Sequence, residues 1–504
     1  MKKRMLSIVV SLCLVFAPLL SLAGFAFDNA DCPYVFVHGF MASDIYYDVN
    51  DKSKGVAWPP TTDAILTAVK DALPSLSDLL IKKDYEAFFA KAFDPIKAML
   101  DTANLGPDGT IIDSTGIIWE YPAADTITKS SYVSFRYDWR LSPIVIAEQL
   151  NDFIEYVCQC SGSDKVCLEG HSFGGIVLNT YTKLYGTGRI KSAIYNTTAV
   201  YGETYNGELM TGQITINAEA LVAFLGELVG STQISDLLNS IFDLIYATGL
   251  VDDTADLANE LLKVAPNEVY TEIVLPMFAG WLSIWAMIPD EYVETAKYYV
   301  FTKLYADNGE NHKGLIEQID EYDTLIRPYK TETLLKTNED CNLYIISRYG
   351  SPSIPITPSW QILSDNVIDT QLSSMGAKCC EYGKRFSDNF LKENADNPYI
   401  SPTGQIDAST CLFPEQTWFI RSLEHSACCD TLDEMFLELA YYNGQATVDT
   451  FEQYPRYMEY LSDEDAVQPD SFTFEEKEKT FFEKIIDFFK NLFKQFVLLL
   501  KLFK

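Results

Sequence analysis

Histidine is scarce in this chain, with four in 504 residues. Eleven cysteines are present, and the ten beyond the leader are Cys32, Cys158, Cys160, Cys167, Cys341, Cys379, Cys380, Cys411, Cys428 and Cys429. With so few imidazoles, and with Cys158 and Cys160 one residue short of a C-x-x-C pair, a zinc site is a poor reading; no metal or cofactor is expected. Basic residues are also short, 38 against 71 acids, for a formal charge of −33. The first 26 residues carry +3 and residues 475–504 carry +2, so the body between them holds about −38. A surface that negative repels phosphate backbones and excludes nucleic acid as a partner. Aromatic residues are not lacking: 30 Phe, 30 Tyr and 7 Trp exclude compositional disorder and supply a large core.

The one long apolar run is N-terminal. Lys2, Lys3 and Arg4 precede Met5 to Leu22, and Gly24-Phe25-Ala26 places small residues at −3 and −1 of a cleavage site after Ala26. Residues 1–26 therefore read as a signal peptide, and the protein as secreted or held at the cell surface. In an exported chain the even cysteine count permits disulfides, whose connectivity sequence does not give.

The rest predicts an α/β protein: a mostly parallel sheet with helices on both faces. Pro33 to Gly39, ending in a tight Gly turn, Ser131 to Tyr137, Lys165 to Glu169 and Arg189 to Asn196 read as strands, and Ile144 to Cys158 and Gly174 to Leu184 as helices. Residues 27–200 form the first part of this core, with an insertion at about 48–125. Residues 201–335 break the rhythm and read as a largely helical cap. The sheet resumes over 336–462 with Cys341 to Ser347 and Gln416 to Ile420, and 463–504 is an acidic linker followed by an amphipathic helix.

The sharpest motif is Gly170-His171-Ser172-Phe173-Gly174-Gly175, a G-x-S-x-G between a strand and a helix. Such a turn projects the serine hydroxyl above the sheet as a nucleophile. His38-Gly39-Phe40, at the end of the first strand, supplies the other half of an oxyanion hole, with the amides of Phe40 and Phe173 as donors. The serine needs a base. His38 and His171 read as structural, and His312 lies in the polar stretch Asp307-Asn-Gly-Glu-Asn-His. His425 follows a late strand, where the base belongs if chain order runs Ser, acid, His. The acid is expected at Asp365, with Asp369 and Asp407 as alternatives, to fix the His425 tautomer and stabilise the imidazolium. Asp138 and Arg140 read as a structural pair. Trp58-Pro59-Pro60 reads equally as part of a lid or as a surface loop.

Val37-His38-Gly39-Phe40, Tyr137-Asp138-Trp139-Arg140, the Ser172 motif and the Asp365-x-Val-Ile block together resemble the lecithin:cholesterol acyltransferase and phospholipase group of α/β-hydrolases, especially its secreted bacterial relatives. The resemblance is scattered over residues 32–430, and Tyr-Asp-Trp-Arg is its most telling string. It implies the α/β-hydrolase fold, a Ser172–Asp365–His425 triad, and cleavage or transfer of acyl groups of lipid esters. The group carries Gly-Asp-Gly around its acid where this chain has Ser364-Asp365-Asn366. Outside the resemblance, Phe481, Phe482, Ile485, Ile486, Phe489, Leu492, Phe493 and Phe496 recur at helical spacing opposite lysines. The uncharged run there, Gln495 to Leu500, is too short to span a bilayer, and residues 475–504 suit a membrane or lipid-particle surface, or a helix that docks on the protein's own body or on a second copy. The rival expectations are a soluble carboxylesterase for small esters and an inactive cell-surface binding protein on the same scaffold.

Overall fold

The computed structural model describes residues 30–61, 103–215, 270–305, 307–355 and 357–471, with positions 64, 67, 71, 91 and 94. The expected leader, the C-terminal helix, most of the helices expected within 48–125 and residues 216–269 of the expected cap lie outside them.

Eight strands form one sheet: β1 (Tyr34–Val37), β2 (Tyr132–Phe135), β3 (Val166–His171), β4 (Ile190–Asn196), β5 (Asn342–Tyr349), β6 (Thr417–Arg421), β7 (Tyr457–Leu461) and β8 (Ala466–Pro469). Their spatial order is β2-β1-β3-β4-β5-β6-β7-β8. Every pairing is parallel except β7 with β8. The fold is therefore mixed α/β around a mostly parallel sheet. Strands buried on both faces need near-continuous apolar runs, which is how Val-Cys-Leu of β3 and Leu-Tyr-Ile-Ile of β5 read. Alternation along them divides the core. Val35, Val37, Leu168, Ala193, Leu343 and Ile345 face one cluster, and Tyr34, Cys167, Ile194, Tyr344, Ile346 and Trp418 face another.

The first face is covered by α1 (Pro143–Ser161) and α2 (Phe173–Tyr185). Helix α1 begins where Ser142 accepts from the Ile144 amide and Pro143 takes the first turn. It stops at Gly162, whose φ of 67° lies in the left-handed region. Its buried stripe is Ile146, Leu150, Phe153, Ile154 and Val157. The α3 helix (Thr204–Met210) follows β4, and further on α4 (Asp290–Lys297), α5 (Lys313–Leu325) and α6 (Lys330–Asp340) lead into β5. The opposite face is covered by α7 (Asp430–Tyr441) through Leu432, Met435, Phe436 and Leu439.

The stretch expected to open a linker at 463 instead folds back on the sheet. Met458 to Leu461 pair antiparallel with Ala466 to Pro469. Asp470 then accepts from Arg421 at 2.8 and 3.0 Å and from the Tyr349 hydroxyl at 3.0 Å. The acids there belong in part to a buried ion pair, which local composition does not distinguish from a solvated run. The described cysteines are all free thiols, with Cys32 and Cys167 sulfurs 3.5 Å apart.

Candidate functional site

Five sheet elements converge at the carboxyl ends of their strands, the edge at which open α/β sheets bind ligands. Strand β3 passes into α2 through Ser172, whose φ of 58° and ψ of −125° lie outside the usual L-residue regions. A non-glycine residue held there costs about 1–3 kcal/mol. The turn closes on its surroundings through Ser172 N–H to the Asn196 carbonyl at 3.1 Å, while the Ser172 carbonyl accepts from Gly175 and Ala199 at 3.0 and 3.2 Å. Glycine is needed at two approaches. A Cβ on Gly174 would sit 2.2 Å from the Val37 carbonyl oxygen, and one on Gly39 would sit 2.8 Å from Ser172 Cβ. The Gly39–Phe40 backbone thus runs beside the Ser172 side chain, and Phe173 is the first residue of α2, where helix amides lack intrahelical partners. The Phe40 ring packs against Trp139, Phe173 and Trp281 at 4.9, 6.4 and 6.0 Å.

The four histidines separate by surroundings. His38 stacks on Tyr137 with ring centres 4.2 Å apart. Its Nδ1 donates to the Gly39 carbonyl at 2.8 Å, so Nε2 accepts from the Ser43 hydroxyl at 2.8 Å. Burial lowers its pKa to about 3 and keeps it neutral. His171 donates Nε2–H to the His425 carbonyl at 2.9 Å, and burial holds its pKa well below the usual imidazole value. His312 stacks on Tyr305 at 3.9 Å, far along the chain's helical segment, with no bond to an acid among the described residues. His425 differs: its Nδ1 lies 2.8 Å from Asp365 Oδ2. That partner places the proton on Nδ1 and leaves Nε2 as the basic nitrogen.

Asp365 is fully buried and well supplied with donors. Oδ1 accepts from the Val367 and Ile368 amides at 3.0 and 2.7 Å, and Oδ2 accepts from the Thr197 hydroxyl at 2.5 Å as well as from His425. The two residues also share a backbone bond, His425 N–H to the Asp365 carbonyl at 3.1 Å. Burial pushes the carboxyl pKa up, but His425 and these hydrogen bonds outweigh it and bring the pKa down to about 2. The alternatives are placed elsewhere. Asp369 Oδ2 accepts from the Thr204 amide at 2.9 Å, and Asp407 caps its own turn through Ser409. His425 is tied to the nucleophile turn through His171, whose ring centre lies 4.8 Å from its own.

Asp138 and Arg140 form a buried two-point ion pair at 2.9 and 2.6 Å, and Arg140 also donates to the Ala103 and Asn104 carbonyls. Trp58 is not on a surface loop: it is buried in the aromatic cluster with Trp139 and Trp281 at 6.2 and 6.3 Å. Sequence reasoning passed over Thr197. Its only signal was position, a hydroxyl one residue beyond the end of β4. Among the described residues no group of three or more His, Cys, Asp or Glu is placed to hold a metal ion, and no helix is long and apolar enough to cross a membrane.

No protein-family model matches this chain, and no curated protein matches it. Among solved structures, the crystal structure of the Tle4-Tli4 complex aligns over 63% of this chain and 75% of its own, at 14% identity and a TM-score of 0.25. A likeness that slight carries nothing toward fold or activity.

Proposed function

We propose that this protein is a secreted serine hydrolase or acyltransferase of the α/β-hydrolase type, acting on lipid esters through an acyl-enzyme. The reading is carried by one observation. A strained serine at a strand-to-helix turn lies beside the Gly39–Phe40 backbone, and the neighbouring residue binds a histidine that is itself held by a buried carboxylate. In this reading Ser172 attacks the ester carbonyl and His425 Nε2 takes its proton. The oxyanion rests on the Phe40 and Phe173 amides. The alcohol or lyso-lipid leaves with the proton from His425, and water or another hydroxyl then takes the acyl group. Asp365 holds the imidazole and stabilises its cation; no metal or cofactor enters.

The lipid part of the proposal rests on the sequence resemblance and on the helical spacing of apolar residues and lysines in the sequence of residues 475–504. Residues 201–335 would serve as the cap over the site. Removal of 475–504 is expected to abolish activity on vesicles and spare hydrolysis of soluble p-nitrophenyl esters.

The deciding experiment is labelling of the purified protein, lacking residues 1–26, by a fluorophosphonate, with Ser172→Ala as control. Labelling of the wild type alone is expected. Failure of folded wild type to label, with and without lipid vesicles, would overturn the mechanism.

A further inference from the structure

Beyond its first residue, Asn342, strand β5 is apolar or aromatic except for Ser347 and Arg348, and Arg348 is buried, with 2% of its surface exposed. A guanidinium is not placed inside a sheet protein without compensation. Here the compensation is unusual in kind. Arg348 Nη1 meets three carbonyl oxygens of a single loop: Glu424 at 2.5 Å, His425 at 2.8 Å and Ala427 at 2.9 Å. Two N–H protons serve three acceptors, so at least one proton is shared. The His425 carbonyl receives a second donor, His171 Nε2. The Arg348 carbonyl in turn accepts from the Thr370 hydroxyl at 2.9 Å, which ties β5 to the helical turn that follows the Asp365 loop. The His425 loop has no regular secondary structure of its own between β6 and α7 to fix its course.

We infer that Arg348 is a positioning residue for the proposed base: it clamps the 424–427 backbone, setting where the His425 ring stands against Asp365. The charge-assisted bonds hold carbonyls, not side chains, so the clamp is indifferent to the residues in the loop and specific to its path. The inference rests on the serine-hydrolase reading. It adds a residue that touches neither substrate nor reacting atoms but governs the rate through His425.

The test compares wild type, Arg348→Lys and Arg348→Met as full-length secreted chains. Fluorophosphonate labelling rates, p-nitrophenyl ester kcat and KM, and melting temperatures are measured. Misplacing a base by about 1 Å costs about 10²-fold. Arg348→Met is therefore expected to lower the labelling rate and kcat by about that factor, with KM within about twofold of wild type. Arg348→Lys, whose ammonium keeps the charge and the donors on a shorter stem, is expected to recover about tenfold of the loss. Folded Arg348→Met with wild-type kcat overturns the inference, as does an equal loss in both variants that follows melting temperature alone. If Arg348→Met does not fold, Arg348→Lys decides: a kcat several-fold below wild type at unchanged melting supports the clamp, and a wild-type kcat overturns it. Failure of wild type itself to label overturns the hydrolase reading instead, so the two failures are distinct.

Discussion

Asp365 and His425 are joined twice, side chain to side chain at 2.8 Å and His425 amide to Asp365 carbonyl at 3.1 Å. The backbone bond fixes the distance between two loops, and the side-chain bond then fixes the imidazole tautomer within it. Asp365→Asn keeps the shape but presents an amide to Nδ1, which favours the wrong tautomer. In the proposed mechanism kcat should fall by about 10³–10⁴ with the fold retained. Steady-state hydrolysis of a soluble ester checks it; a loss under tenfold would move the acid to Asp369 or Asp407.

The two remaining base candidates are separable by the same assay. His425→Ala should reduce turnover by about 10⁴-fold or more, because the serine then lacks a proton acceptor. His312, stacked on Tyr305 with no acid partner among the described residues, should tolerate alanine within about twofold in kcat, consistent with a position away from the chemistry. The reverse pattern would place the base among the helices that precede β5.

What was legible in the sequence followed from local pattern. β3 and the Ser172 turn were readable because an apolar run, two glycines and a second apolar run follow one another within about twenty residues. The loop that carries His425 was readable because it trails a strand of Thr, Trp, Phe and Ile. Thr197 and Arg348 were not, since one lies just past an apolar strand and the other within one, and their partners lie 168 and 77 residues away. Strand β8 was missed for a related reason. Its edge position needs few apolar residues, and the ion pair of Asp470 with Arg421 spans 49 residues.

The Asp138–Arg140 pair predicts a stability effect independent of chemistry. Asp138→Ala would leave a guanidinium buried beside the carbonyls of Ala103 and Asn104 without its counter-charge. Such a break costs about 3–5 kcal/mol. A fall in melting temperature of roughly 5 °C or more is expected, read by calorimetry at neutral pH. A shift within 1 °C (roughly the scatter of a harmless surface change) would show that the pair is dispensable.

Two carboxyl groups near the site push stability in opposite directions with pH. Asp365 has its folded pKa lowered to about 2, so its contribution is present above the ordinary carboxyl range and is lost as pH falls from about 4 toward 2. Glu203 is buried, and that burial, reinforced by Asp369 and Asp365 against a hydrogen bond from Tyr205, raises its pKa to about 8. A raised acid binds its proton more tightly when folded. Its neutral form stabilises fully below the unfolded value, and stability declines as pH rises from about 4.5 to about 8. Glu203→Gln keeps an acceptor for the Asn206 amide, which now donates to Glu203 Oε2 at 2.7 Å, and removes the titration. The variant should melt a few degrees above wild type at pH 8 and within about a degree of it at pH 4, as differential calorimetry at the two pH values would read. Equal offsets at both would mean that the folded and unfolded states bind the Glu203 proton equally well, and would overturn the raised pKa.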